Sequence, residues 1–199
     1  MSRDFSLQMR GFPYFGTKLR LSDDFRANTG TMSPKISPIL RRLPPKRAKN
    51  TGNGYTEGEM DRELHMIGVA RYMYEHAEDY GLPKDDMYLL GLLHDIGYLR
   101  GAENHEADGK KILHEFGFRS NKWLRYGYAV EHHDSVPEGV PEETERVCRL
   151  LAEADMSVDV NGELVGYEKR LRGIKERHGE NSVRYGKAKE VVRWLNESR

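Results

Sequence analysis

The sequence predicts an all-α helical bundle preceded by an irregular basic arm. Three observations carry that reading. From Glu59 onward apolar residues recur at spacings near 3.6, as on one face of a helix. Glycines and prolines interrupt this pattern at intervals that suit helices. No segment alternates apolar and polar residues between turn signals, as strands would. With 199 residues, 37% of them apolar, the chain can fill one core and carry an appendage.

The arm is residues 1–58. It holds five of the eight prolines, and Arg41-Arg42-Leu43-Pro44-Pro45-Lys46-Arg47 reads as an extended basic linker. Each proline lacks an amide donor and disfavours helix in the residue before it. Phe5, Phe12, Tyr14, Phe15 and Phe25 give the arm aromatic groups able to dock, so it is read as irregular rather than disordered. Gly52, Gly54 and Gly58 separate it from a helical domain at 59–199.

The first helix of that domain places Met60, Leu64, Ile67, Tyr74 and Ala77 on one stripe and stops at Gly81-Leu82-Pro83. A second starts near Pro83, where Asp85 and Asp86 suit the first turn, and runs through Leu89–Leu93 to about Ile96. A third spans Glu103–Phe116 and ends at Gly117. Ser120 is placed to cap a fourth, Asn121–His133, before the breakers Pro137, Gly139 and Pro141. A fifth covers Glu142–Met156. Two more, Leu164–Arg177 and Val183–Asn196, lie within 163–197 and are separated by Gly179.

Charge narrows the function classes. Lys and Arg number 32 against 32 Asp and Glu, so the whole chain is not an obvious nucleic-acid or membrane binder. The balance conceals an asymmetry: residues 1–58 carry 11 Lys and Arg against 4 Asp and Glu, a net of +7, which leaves −7 for the body. The single cysteine, Cys148, excludes a disulfide framework and a cysteine-based zinc site, and fits a reducing compartment. The longest apolar stretch, Met87–Leu93, falls far short of the roughly 20 residues that span a bilayer. Met1–Phe15 has no uninterrupted apolar run of the kind a secretory signal needs. The expected location is cytoplasmic, without membrane contact.

The chemistry concentrates in histidines and aspartates on different helices. His94-Asp95 directly follows Leu89–Leu93, the most apolar helical segment. Burying an imidazole beside a carboxylate is costly unless both find strong partners, and a divalent cation is such a partner for both. A hydrogen-bonded pair at a frayed helix end is the plain alternative. His65 sits in mid-helix one residue after Leu64, and Asp155 lies among the small and apolar residues of Leu150–Met156, with Asp159 as an alternative acid nearby. Helical bundles build metal sites in this way, from facing helices.

The ordered set His65, His94-Asp95, Asp155 resembles the H…HD…D motif of the HD superfamily of metal-dependent phosphohydrolases. Leu92-Leu93-His94-Asp95-Ile96-Gly97 is similar to that family's LLHDIG core. Asn104-His105-Glu106 with Gly109 and Ile112-Leu113, and then Val130-Glu131-His132-His133, resemble the added histidine elements of its two-metal members. The likeness covers about residues 59–160, and the tail from Gly162 to Arg170 resembles that of small bacterial HD proteins of poorly defined activity. It implies an HD-domain helical bundle with His65, His94, Asp95 and Asp155 as ligands of a first divalent ion. It further implies His105 and either His132 or His133 as ligands of a second, with Asp95 bridging. Manganese, iron, cobalt, nickel, zinc and magnesium are all candidates. Many relatives have lysine directly after HDIG, where it can contact substrate phosphate; Tyr98 stands there instead. Arg100, Lys110, Lys111 and Arg125 are candidate replacements. His76, His114 and His178 match no ligand element and are expected at the surface.

The implied activity is hydrolysis of a phosphoester or phosphoanhydride by hydroxide generated on a divalent ion, with His94 and Asp95 at the centre of catalysis. The substrate class is a phosphorylated small molecule, in particular a nucleotide or dinucleoside polyphosphate. A cyclic dinucleotide ranks lower, because the residues after His133 contain no Gly-Tyr-Pro triplet. Two other readings belong to different classes. One is a di-iron HD-type oxygenase, betrayed by colour and oxygen sensitivity. The other is a non-catalytic binding module that uses the arm for nucleic acid or an acidic partner, with steeply salt-dependent binding as its mark. An oligomer is compatible with either.

Overall fold

A computed structural model of the chain describes residues 57–99, 104–115 and 118–197. The expectations for the arm up to residue 56, and for Arg100, lie outside the described residues. Seven α-helices lie among the described residues: α1 (Glu57–His76), α2 (Lys84–Leu93), α3 (His105–Glu115), α4 (Asn121–Glu131), α5 (Glu142–Ser157), α6 (Tyr167–His178) and α7 (Val183–Glu197). Two 3-10 helices, Ala77–Tyr80 and Ile96–Leu99, follow α1 and α2. Among the described residues there is no strand; one antiparallel bridge joins Val158 to Leu164. The all-α architecture is as the periodicity predicts.

The first helix buries a stripe shifted from the expected one, which it meets at Ala77. Leu64 is 42% exposed, whereas His65, Val69, Met73 and Ala77 are buried at four-residue intervals. His65 thus occupies a core position, which an apolar count alone assigns to its neighbour. Gly81 (φ 64°) ends the adjoining 3-10 helix, its amide returning to Glu78 O over 3.0 Å.

Two helices stop earlier than the sequence suggests. The α2 helix ends at Leu93 rather than about Ile96, and α4 ends at Glu131 rather than His133. Both pairs of site residues therefore fall in turns just beyond a helix. Ser120 stands at the N-cap of α4 with extended backbone, but its side chain makes no capping bond. Leu164, expected to open α6, is 71% exposed and bridged to Val158, and α6 starts at Tyr167.

Buried residues on α2, α3 and α4 (Met87, Leu90, Ile112, Leu113, Ala129 and Val130) carry the core beneath the HD turn. A second core joins α5 to the last two helices. Ala152 and Met156 pack there with Ile174 of α6 and Ala188, Val191 and Leu195 of α7. This packing holds the α6–α7 pair against the helix that bears Asp155.

Candidate metal centre

His94 and His133 reach the interior by the same device. Each follows the end of a helix and donates its Nδ1–H to the carbonyl three residues earlier, His94 to Gly91 O and His133 to Val130 O, both at 2.7 Å. Terminal carbonyls of a helix lack an intrahelical donor, so the imidazole satisfies one of them. His65 is fixed similarly by Asp159 O, 3.1 Å from its Nδ1. In the neutral form with Nδ1 carrying the proton, each ring turns its Nε2 lone pair to the same small volume.

Two carboxylates face those lone pairs. Asp155 Oδ1 lies 2.8 Å from His65 Nε2 and 3.9 Å from His94 Nε2. Asp95 presents its two oxygens in different directions: Oδ2 to His94 Nε2 at 3.4 Å, Oδ1 to His133 Nε2 at 3.4 Å and His105 Nε2 at 3.7 Å. His65–His94, His94–His133 and His105–His133 ring centroids are all 5.4 Å apart. Two triads have ligand atoms close enough to share an ion: His65, His94 and Asp155, and His94, Asp95 and His133. His94 Nε2 is buried without a hydrogen-bond partner. A lone pair aimed at carboxylate oxygens, with no proton between them, is repulsive, and a cation reverses the sign. The donor set of neutral imidazole and carboxylate oxygen fits a divalent transition metal.

The electrostatics follow from burial and from these partners. Burial pushes His94 down to about 4, against the opposing charge of Asp95. Burial likewise lowers His105 to about 4. At His133 burial also acts downward, but the hydrogen bond and charge of Asp95 outweigh it and raise the ring to about 9. Burial would raise both carboxyls. His94 and Arg62 hold Asp95 well below the usual carboxylate range, while Arg170 and then His65 do so for Asp155.

His105, first residue of α3, stacks on Tyr98 with centroids 3.9 Å apart. Its Nδ1 is 3.2 Å from Glu106 Oε2 but not aligned for a hydrogen bond. His132 is not brought to the centre. Its side chain is 38% exposed against 5% for His133, stacks on Tyr128 with centroids 4.2 Å apart, and points Nε2 to Glu131. The cause is the turn after α4, which sends successive side chains to opposite sides. Asp159 contributes only its carbonyl to His65; its carboxylate accepts the amides of Asn161 and Glu163. His114 and His178 are exposed, and His76 bonds Asp79 at the surface.

Two arginines escaped the sequence reading. Arg62 Nη1 donates to Asp95 Oδ2 at 2.6 Å, and its guanidinium lies 3.9 Å from the Tyr98 ring centroid. Arg170, buried on α6, donates to Asp155 Oδ1 from Nη2 and to its main-chain oxygen from Nε, both at 3.1 Å. The expected replacements for lysine are engaged elsewhere: Lys110 with Glu131, Lys111 with Asp108 and Arg125 with Glu143. Arg62 lies three residues before His65, hence on the same side of α1, which is the one signal that pointed to it. Arg170 offered no signal beyond its place in an otherwise polar helix.

Residues 62–157 match the family described as HD domain. The chain carries an HD domain and belongs to the HD superfamily. The match takes in His65, His94, Asp95, His105, His133 and Asp155, and it ends before α6 and α7. No curated protein and no solved structure matched the chain. HD domains are generally those of metal-dependent hydrolases, and two His/Asp groups here could hold a metal ion. No helix among the described residues is long and apolar enough to cross a membrane.

Proposed function

We propose that this HD protein hydrolyses a phosphoester or phosphoanhydride of a linear nucleotide or dinucleoside polyphosphate, using one or two divalent ions. The observation that carries the reading is the convergence of three imidazole Nε2 atoms, each fixed through Nδ1 by a main-chain carbonyl, upon Asp95 and Asp155. A divalent ion held there supplies an activated water near neutral pH and a positive charge for a phosphoryl oxygen.

The residues divide the work. His65, His94 and Asp155 form one side of the site, and His105 and His133 the other. Asp95 faces both sides, one oxygen to each, and so fixes their spacing. The Nδ1 anchors remove ring rotation as a cost of assembling the site, and positioning of this kind is a major part of catalysis in phosphoryl transfer. Nothing requires a covalent intermediate. Cys148 is buried on α5, and burial pushes its thiol up to about 12.

The test is metal analysis of the purified protein together with phosphate release from a panel of mononucleotides, dinucleoside polyphosphates and cyclic dinucleotides. His94→Ala and Asp95→Ala are expected to lose most bound metal and at least about a hundredfold in turnover, as removal of ligands does. Full metal content and turnover in both variants overturns the proposal. An iron-loaded, coloured protein that consumes oxygen and releases no phosphate replaces it with oxidative chemistry.

A further inference from the structure

The α6–α7 pair, which the family match does not include, brings cations to the metal cluster. Arg170 is buried against Asp155, with Nη2 3.4 Å from His65 Nε2. Arg177 lies seven residues along on the same face of α6. Its guanidinium folds back over the preceding turn, Nη1 standing 3.6 Å from where a Cβ at Gly173 would be. The charge of Arg184, near the start of α7, acts on Tyr98, whose ring carries Arg62 on its face. One turn later Lys187 holds Asp134, the neighbour of His133, at 2.7 Å.

We propose that Arg62, Arg170, Arg177 and Arg184 form a clamp for a chain of adjacent phosphates at the mouth of the metal centre. Charge is the first argument. Asp95 and Asp155 are matched by Arg62 and Arg170, and each also belongs to one of the two triads that could hold a divalent ion. Two carboxylates and one such ion cancel, which leaves four guanidiniums facing the site. Of the nearby acids, Asp134 is paired with Lys187, and Asp159 keeps its charge while it accepts two main-chain amides, so it offsets only part of the set. Mutual repulsion is already felt, since burial and then Arg170 and Arg62 lower Arg177. A single phosphate brings too little charge to balance this set, and a polyphosphate chain balances it.

Reach is the second argument. Seven residues of helix separate the Cα atoms of Arg170 and Arg177 by about 10 Å, a span along which successive phosphates of a chain can be engaged. Exposure is graded in the same order, from buried Arg170 through half-buried Arg62 to exposed Arg177 and Arg184. A chain would enter at the exposed pair and place its terminal group at the cluster. Arginine suits the task because its planar fork binds phosphate oxygens in pairs. The clamp deepens the hydrolase reading, on which its catalytic use rests.

Titration calorimetry on the metal-loaded full chain tests it, with orthophosphate, methylenediphosphonate and a methylene-bridged nucleoside triphosphate that resists cleavage. Affinity is expected to rise at least about tenfold from the single phosphate to the bridged probes. Arg177→Ala and Arg184→Ala are each expected to weaken the bridged probes about tenfold, the size of one lost charge-assisted contact. Their metal content, helicity and orthophosphate affinity should stay within about threefold or better of the parent, on the same scale, with Arg177→Lys recovering part of the loss. Equal affinity for one phosphate and several, or bridged-probe binding untouched in both variants, overturns the clamp. Tighter binding of the nucleoside probe than of the diphosphonate assigns a nucleotide source, and equal binding an inorganic polyphosphate; both uphold the clamp. The two proposals fail separately. Probe binding that depends on Arg177 without phosphate release sinks only the hydrolase, while release from monoesters with the variants fully active sinks only the clamp.

Discussion

At His133 the ring is pinned to Val130 O and looks inward, while one residue earlier His132 stacks on Tyr128 at the surface. His133→Ala should therefore lose a metal equivalent or weaken it about 10- to 100-fold, whereas His132→Ala should bind metal as the parent does. Inductively coupled plasma analysis after dialysis reads both. The sequence could not choose between the two histidines, because neighbouring positions differ only in the path of the turn. His65, His94, Asp95 and Asp155 were legible for the opposite reason: an imidazole or carboxylate among apolar residues has few ways to be satisfied. Arginines are not informative in that way, since a solvated surface accounts for most of them. The roles of Arg62 and Arg170 thus become visible only in the folded chain.

The helices were legible from periodicity and from glycine and proline punctuation, and their ends were not. Past the ends of α2 and α4 the imidazoles of His94 and His133 take the carbonyls of Gly91 and Val130, and periodicity does not mark the residue at which this begins. The most demanding contact between elements lies at Gly97. A Cβ there would stand 1.6 Å from His105 O, so the 3-10 helix after the HD turn touches the start of α3 through bare backbone. Gly97→Ala forces the two apart and is expected to cost roughly 2–4 kcal/mol, the scale of overpacking with backbone displacement. It should also weaken whichever ion His105 serves, since that ring rides on the displaced residue. Urea unfolding with and without metal separates the two effects.

Across the whole molecule, an ion at the proposed centre would tie α1, α3 and α5 and the turns after α2 and α4 into one thermodynamic unit. A ligand that binds only the folded state adds about 2.7 kcal/mol at a hundred times its dissociation constant. Manganese, cobalt or zinc at that level should raise Tm by roughly 5–10 °C, and chelation should reverse the change. Without metal, acid should destabilise the fold in a defined window. His94 and His105 are lowered to about 4 from an ordinary value of 6.5 by burial, so the unfolded chain binds more protons between those limits. Their contribution is complete above pH 6.5 and lost as pH falls through about 4. His133 has the opposite sign: raised to about 9, it contributes below pH 6.5 and is lost as pH rises through 9. Urea midpoints in chelator are expected to peak near neutrality and fall on both sides, and a midpoint that climbs steadily toward pH 4 contradicts the assignment.

The carbonyls of Gly91, Val130 and Asp159 fasten three rings, and every amino acid has a carbonyl. The alignment of those rings is consequently written in the course of the main chain and not in the identity of the anchoring residues. Mutational drift at 130 or 159 can change the side chain and keep the anchor. Only a rerouted backbone, or replacement of a histidine itself, unfastens one.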